Sequence, residues 1–306
     1  MDILHDKSIR PMLIGTEESL FDDPSYLYEL KLDGMRCIAY LVSDSTDLRS
    51  ERSVGMLPTK VPELTGIHRQ VKHPCILDGV LSNTVNSAPV SFERQRRSLL
   101  SDGFKPAVPQ NPITFVTFDI LYLDGEPTTH LPLLRRKRLL SETVVENERL
   151  TVAPYIEGEG TALYELSKRR GLEGIVAKHK ESRYSCNQRT KDWVMIKNIS
   201  RDDFIVCGYA FKGGDAVSLI LGAFDAHGVL FDCGSVMADV SGEAFRRIQE
   251  AERVAYPLFA GESPQTVWLK PELVCAVRYT RLQPGGLRQP VFMGLQENRD
   301  AGACRV

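Results

Sequence analysis

Several signatures are missing from this 306-residue chain, and each absence narrows what it does. No apolar run approaches the roughly 18 residues that span a bilayer, so no membrane partner is expected. The opening MDILHDKSIRPML carries no charged-then-apolar signal pattern, and a soluble, cytoplasmic protein is expected. The seven cysteines, Cys37, Cys75, Cys186, Cys207, Cys233, Cys275 and Cys304, never form a C-x-x-C pair. Their scatter and odd number predict reduced, mostly buried thiols rather than disulfides or a zinc site. The six histidines show no ligand-spaced cluster. The G-x-x-x-x-G-K-[ST] loop of P-loop kinases and ATPases does not occur. Net charge is −2, so bulk charge calls for no nucleic acid, and any such partner must be held by local basic patches. There is no internal repeat and no low-complexity segment.

What is present fits an ordinary globular protein long enough for two domains, with 42% hydrophobic and 25% charged residues. Strand patterns cover Tyr26–Leu30, Arg36–Val42, Cys75–Leu77 and Ile113–Leu121, each bounded by Gly, Pro or Asp-rich turns. SERSVGMLPTKVPE and KPAVPQNP read as loops. In PLLRRKRLLSETVVEN, Leu133, Leu134, Leu139, Leu140 and Val144 fall near helical spacing, which predicts a helix with its basic residues towards solvent. A second helix is predicted over Ala162–Arg170, followed by strands at Gly174–His179 and Asp192–Ile199. After the polar stretch Ser200–Asp203, the segments IVCGYAF, AVSLILGAF and GVLFDCGSV read as short strands. A helix at Ser241–Val254 and strands at Thr266–Leu269 and Leu273–Tyr279 follow. Several short strands with one helix in about 100 residues suggest a small oligonucleotide-binding-type barrel.

The stretch YLYELKLDGMRCIAYL, Tyr26 to Leu41, places a single lysine in an apolar alternation that breaks at Asp33-Gly34. A free lysine has a pKa near 10.4, so only about one in a few thousand is neutral at pH 7. Burial or neighbouring cations would lower that value and expose the lone pair of Lys31 as a nucleophile. Asp33 would share its side of the strand and could hold a metal ion. Gly34 permits a tight turn that returns Arg36 towards the lysine. By itself, K-x-D-G-x-R also fits a charged surface hairpin.

Further segments follow that motif in order: RPML, FDDPSYLYELKLDGMR, VPEL, ILDG, TFDILYLDG, EGIVAK, WVMIKN, VRYTR and LRQPVFMGL. Together they resemble the ATP-dependent DNA ligases of the covalent nucleotidyltransferase superfamily, most closely the ligase part of bacterial end-joining ligases. The resemblance runs almost end to end. It implies an α+β chain, with a nucleotidyltransferase (adenylation) domain of antiparallel sheets and helices over residues 1–199. A hinge at 200–203 and an OB-fold domain over 204–306 would follow.

The resemblance also implies roles. Lys31 would attack the α-phosphate of ATP to form a lysyl-AMP, which passes to the 5′-phosphate of nicked duplex DNA. Glu29 would accept from the adenine amine, helped by the carbonyl of Leu30. Arg52 would contact the ribose and the DNA end, while Phe118 and Val176 would enclose the adenine. In an alternating strand, Phe118 also reads as ordinary core. Glu173, with Asp33, would hold Mg²⁺ or Mn²⁺. Lys197 would neutralise the α-phosphate, Arg36 would brace the nucleotide, and Arg288 and Arg299 of the barrel would act during self-adenylylation.

Three positions depart from the family pattern. Val80 stands where the family has the acid of D-G-E, Met195 replaces the first lysine of W-x-K-x-K, and Gln296 replaces an arginine. A valine can neither accept a hydrogen bond nor order water, and losing a cation beside a reacting phosphate removes transition-state stabilisation. Reduced activity is therefore one expectation. Basic clusters at Arg94–Arg97, Arg135–Arg138 and Lys168–Arg170 are candidate DNA contacts, although a solvated helix face explains the second as well. With no extra N-terminal DNA-binding domain in view, clamping is expected from barrel closure, with a DNA-repair partner protein as a further candidate. Rival functions are an RNA ligase or capping-type nucleotidyltransferase using the same lysine, and a catalytically impaired DNA-end-binding homologue.

Overall fold

Wherever apolar residues alternate with period two, the chain forms strands, and the hydrogen-bond ladders set which faces are buried. The computed structural model describes residues 4, 7–32, 34–51, 61–82, 113–213, 216–239, 242–260, 265–283 and 286–305. It divides into two units, Met1–Lys197 and Asn198–Val306.

The first unit runs β1 (Leu13–Glu17), β2 (Tyr26–Leu30), β3 (Met35–Leu41), β4 (Thr46–Ser50), β5 (Cys75–Ser82), β6 (Thr114–Leu123), β7 (Glu126–Pro127), α1 (Leu133–Thr143), β8 (Leu150–Val152), β9 (Tyr155–Glu157), α2 (Gly160–Arg169), β10 (Gly174–His179) and β11 (Arg189–Lys197). One sheet has the order β1-β11-β10-β2-β9 and the other β4-β3-β5-β6-β7, with β8 added beside β6. Three apolar clusters hold them. Tyr28, Ile175, Ala177, Val194 and Ile196 of the first sheet pack on Leu163 and Leu166 of α2. Cys37, Ala39, Leu77, Phe115 and Ile120 of the second sheet pack with Leu140 of α1. The remaining faces share a third cluster, in which Ile38, Val80, Val116 and Phe118 meet Trp193 and Tyr184. Each sheet thus has a helix on one side and the other sheet's core on its opposite side.

Helix α1 overturns the expectation that its basic residues face water. Leu133, Arg136, Lys137 and Leu140 form one stripe at i, i+3, i+4 and i+7, and all four are buried. Only Arg135 and Arg138 of that cluster are exposed. Arg136 donates from Nε and Nη2 to both oxygens of Asp119, at 2.7 and 2.9 Å. Its Nη1 donates to the carbonyls of Leu131 and Ser182. A buried guanidinium is tolerated here because its donors are paired with oxygen.

The second unit contains β12 (Ser200–Gly213), β13 (Ala216–Phe224), β14 (Leu230–Asp239), α3 (Glu243–Glu250), β15 (Val267–Trp268), β16 (Val274–Tyr279), β17 (Arg281–Gln283), β18 (Gly286–Arg288) and β19 (Val291–Leu295). Its main sheet has the order β14-β13-β12-β16-β19, with β15 on β12, and β17 and β18 pair separately. Phe204, Val206, Leu219, Val236 and Val277 line its core together with Phe245 and Ile248 of α3. Ser200–Asp203, expected as a hinge, forms the start of β12, with Ser200 opposite Tyr279 and Asp203 opposite Ala276. Two side chains reinforce it: the Tyr279 hydroxyl donates to Asp202 at 2.7 Å, and Arg299 pairs with Asp203 at 2.9 Å. Six of the seven cysteines are buried and all are free; Cys186 is exposed. Among the described residues, no helix is long and apolar enough to cross a membrane.

Replacing Arg136 by Met strands the Asp119 carboxylate and is expected to destabilise the first unit by about 3–5 kcal/mol in denaturant unfolding. Arg135→Met, one position away on the exposed face, should stay within about 0.5 kcal/mol.

Candidate active site

The pairing of three strands builds the site. Glu29 of β2 lies opposite Val176 of β10, which lies opposite Met195 of β11. Two residues further along, Gly174 faces Lys197, and the amide of Lys31 donates to the Gly174 carbonyl at 3.0 Å. Two residues the other way, Leu27, Lys178 and Trp193 form a third row. Directly opposed residues share a face, so one face carries Lys31, Glu29, Val176, Lys178, Met195 and Lys197. The alternate row of Leu30, Ile175 and Ile196 turns away, into the cluster that covers α2.

Lys31 follows the last residue of β2 and is half-buried, with its ammonium 3.3 Å from the carbonyl oxygen of Leu32. Glu173, just before β10, is buried. Lys197 makes an ion pair with Glu17 of β1. The turn after Lys31 depends on Gly34, whose φ is +148°. A Cβ added there would lie 2.1 Å from the backbone oxygen of Leu81. Asp33 and Arg52 lie outside the described residues, as does the Arg94–Arg97 cluster. Lys168 and Arg169 are exposed at the end of α2, where Lys168 is 3.6 Å from Glu165.

Glu29 is the most constrained of these side chains. One carboxylate oxygen pairs with Lys137 of α1 and the other takes Lys178 at 2.7 Å. Burial alone would raise its pKa, but the two ammonium groups outweigh burial and hold it below the usual carboxylate range. Burial pushes Lys178 down to about 8, against the pull of Glu29 and with the help of Lys137. The Lys178 ammonium lies 4.1 Å from the ring centroids of both Phe118 and Trp193. Phe118 is buried in the shared core, edge-on to Trp193 at 6.2 Å. Trp193 Nε1 is buried and has no acceptor among the described residues.

Arg36 leaves the strand row and binds Asp78 with two 2.6 Å hydrogen bonds, its guanidinium carbon 4.6 Å from the Phe118 centroid. Burial opposes its charge, but Asp78 overrides that and keeps it protonated. Tyr184 donates to the same carboxylate at 2.5 Å, and its own oxygen accepts from the amide of Met12. Val80 lies opposite Arg36 within the apolar cluster around Phe118. Met195 is buried opposite Val176. In the second unit, Arg288 ends β18, its carbonyl taken by the amide and hydroxyl of Thr280, while Arg299 is held by Asp203.

Lys178, Asp78, Tyr184 and Trp193 belong to this constellation and were not read as functional from the sequence, and Lys137 was read only as part of a candidate DNA-contacting cluster. A signal existed for two of them. Lys178 continues the period-two face of Gly174 and Val176, and Lys137 lies four residues after Leu133 and three before Leu140. Among the described residues, no group of three or more His, Cys, Asp or Glu side chains is arranged to hold a metal ion. A cleft of about 530 Å³, lined by Arg10, Leu13, Glu51, Asn187 and Arg189 among others, opens at the other end of β11 from Lys197.

This two-sheet unit with a lysine at a strand end, followed by a small β unit, has counterparts among known proteins. Residues 11–197 match the ATP dependent DNA ligase domain, and residues 212–299 match the ATP dependent DNA ligase C terminal region. The chain belongs to the ATP-dependent DNA ligase family, its first unit the adenylation domain and its second the OB-fold region. It is 26% identical over 285 residues to the SPbeta prophage-derived DNA ligase-like protein LigB of Bacillus subtilis, covering 93% of this chain and 97% of that protein. It is 29% identical over 300 residues to the bifunctional non-homologous end joining protein LigD of Bacillus subtilis, covering 90% of this chain. The chain spans 47% of the length of that LigD, and 39% of the Mycobacterium tuberculosis LigD. The crystal structure of the ligase domain of M. tuberculosis LigD has the same fold, with a TM-score of 0.53 at 24% identity over 97% of this chain and 98% of that one.

Gly34→Ala should destabilise the first unit by more than about 1 kcal/mol, because the added methyl meets backbone at a positive φ. Gly66→Ala, whose Cβ would meet nothing within 4 Å, should change unfolding by less than about 0.5 kcal/mol.

Proposed function

We propose that this chain seals nicks in duplex DNA with ATP, through an AMP carried on Lys31. The observation that carries the reading is the strand-end row of Lys31, Gly174 and Lys197, with Glu173 beside it and Glu29 one row inward on the same face. A nucleotide whose base lies at Glu29 would present its α-phosphate towards Lys31, with the ammonium of Lys197 on the same side. Trp193 Nε1, a buried donor next to Phe118 without an acceptor among the described residues, suits a site that awaits a polar ligand.

In the first step Lys31 Nζ bonds to the α-phosphorus, the bond to the β-phosphate oxygen breaks, and pyrophosphate leaves. A 5′-phosphate oxygen at the nick then displaces the lysine from phosphorus. Finally the 3′-hydroxyl attacks that 5′-phosphate and AMP departs. Each is an in-line displacement in which positioning and charge neutralisation contribute most of the catalysis. Mg²⁺ usually takes one or two carboxylates and completes its shell with phosphate and water oxygens, so Glu173, beside the strand-end row while Glu17 is engaged by Lys197 and Glu29 by two lysines, fits as its protein ligand. When bound, the ion neutralises phosphate charge. Glu29 and the carbonyl of Leu30 receive the adenine amine, and Phe118 and Val176 flank the ring. Arg36 reaches the pocket only as part of its pair with Asp78. Arg52, Arg288 and Arg299 retain the roles the family pattern gives them, with duplex DNA as substrate and a repair protein as a candidate partner.

Val80 and Met195 favour a slower enzyme over an inactive one, because the nucleophile, Glu173 and Lys197 remain. Val80→Glu and Met195→Lys are each expected to raise nick sealing several-fold, and no gain from either would contradict the reduced rate.

Incubation with α-labelled ATP and Mg²⁺ followed by a chase with nicked duplex tests the cycle. Label should appear on the protein, move to DNA, and be absent from Lys31→Ala. Label that persists in Lys31→Ala would transfer the nucleophile elsewhere, and GTP labelling in preference to ATP would favour a capping-type enzyme.

A further inference from the structure

We infer that Lys137, a buried residue of α1 rather than the DNA contact its basic cluster suggests, is a specificity-determining residue for the purine base, because it pins one oxygen of Glu29 and leaves that carboxylate able only to accept hydrogen bonds. The inference rests on the ligase reading and on Glu29 as its base-reading residue.

Adenine presents an amine donor at the position where guanine presents a carbonyl acceptor. An ionised Glu29 matches the first and repels the second. A protonated Glu29 could donate to the guanine carbonyl, and the discrimination would collapse. Glu29 is only 4% exposed, a setting that by itself favours the protonated acid. What opposes this is two lysines on one carboxylate, drawn from separate elements. Lys178 comes from the neighbouring strand, whereas Lys137 arrives from α1 and is itself 2% exposed.

Lys137 is placed by more than Glu29. Its ammonium lies 5.4 Å from the ring centroid of Tyr155, the residue opposite Glu29 on β9. Helix α1 is anchored one residue earlier by Arg136 on Asp119. Among the described residues, the ionisable groups around Glu29 are Lys178 from β10, Lys137 from α1 and Tyr155 from β9, with the Asp119–Arg136 pair between β6 and α1 beyond Lys178. Of these, the two lysines contact the carboxylate directly.

Without the Lys137 charge, burial is opposed by Lys178 alone, and the pKa of Glu29 rises. The protonated fraction then grows as pH falls, so guanine should be accepted best in acid. A rise of one pKa unit changes that fraction about tenfold while the group is mostly ionised.

The test compares α-labelled ATP and GTP in self-labelling at about pH 5.5 and about pH 7, both below the value of about 8 to which burial pushes Lys178, so that its charge is nearly the same in both arms. Wild type should prefer ATP equally at both. Lys137→Met should lose about tenfold of that preference at the lower pH and regain it at the higher. Lys137→Arg, which keeps the charge, should behave as wild type. Should Lys137→Met label too weakly to compare, the rise in melting temperature with each nucleotide replaces labelling as the readout. An equal loss for both nucleotides at both pH values would make Lys137 merely structural and overturn the inference, as would an unchanged preference. Wild type that labels with neither nucleotide would overturn the ligase reading itself.

Discussion

The chemistry of the first unit depends on the register in which β2, β10 and β11 pair. Glu29, Val176 and Met195 stand in one row, and Lys31, Gly174 and Lys197 in the next corresponding one on the same face. A slip of one residue would turn Glu29 and Lys31 towards α2 and send Leu30 into the polar site. The apolar cluster of Tyr28, Ile175, Ala177, Val194 and Ile196 on α2 forbids that slip, because it fixes which side of each strand is buried. The position of Lys31 at the end of β2 is thus set by residues on the opposite face of the sheet.

Between the two sheets the core carries buried charges, and they come in paired sets. Asp119 is matched by Arg136, Asp78 by Arg36 and Tyr184, and Glu29 by Lys137 and Lys178. Breaking a buried pair is costly, whereas the intact pair adds little net stability over an apolar replacement. Such sets are better understood as positioning devices. Arg36 lies over the face of Phe118, and the Glu29 set ties α1 to β2, which Lys31 follows.

Much of this architecture was legible in the sequence. Tyr26–Leu30 and Gly174–His179 have the residue bounds their alternation implies, because both are short, period-two and flanked by turn residues. Cys75–Ser82 runs five residues past the expected Leu77, since Asp78 and Gly79 resemble a turn. The fully buried strand keeps them by pairing Asp78 with Arg36 and packing Gly79 where a side chain would strike Val116 and Phe115. The charged residues of α1 misled for the same reason: Arg136 and Lys137 occupy apolar positions of the helix, and only their distant partners Asp119 and Glu29 make that tolerable. Ser200–Asp203 reads as a linker by composition, yet its two acids are held by Tyr279 and Arg299. In each case a long-range partner reversed a local preference. Lys31 and Gly34 needed no such partner to be noticed, and the lysine stands where the strand alternation puts it.

Peptide mapping addresses the nucleophile most directly. The protein is incubated with ATP and Mg²⁺, digested near neutral pH, and its peptides are weighed by mass spectrometry. The account predicts one added AMP, confined to the peptide carrying Lys31 and localised by fragmentation to its side-chain nitrogen. An AMP on any other residue, or a Lys31 peptide that stays unmodified after incubation with ATP, would contradict it.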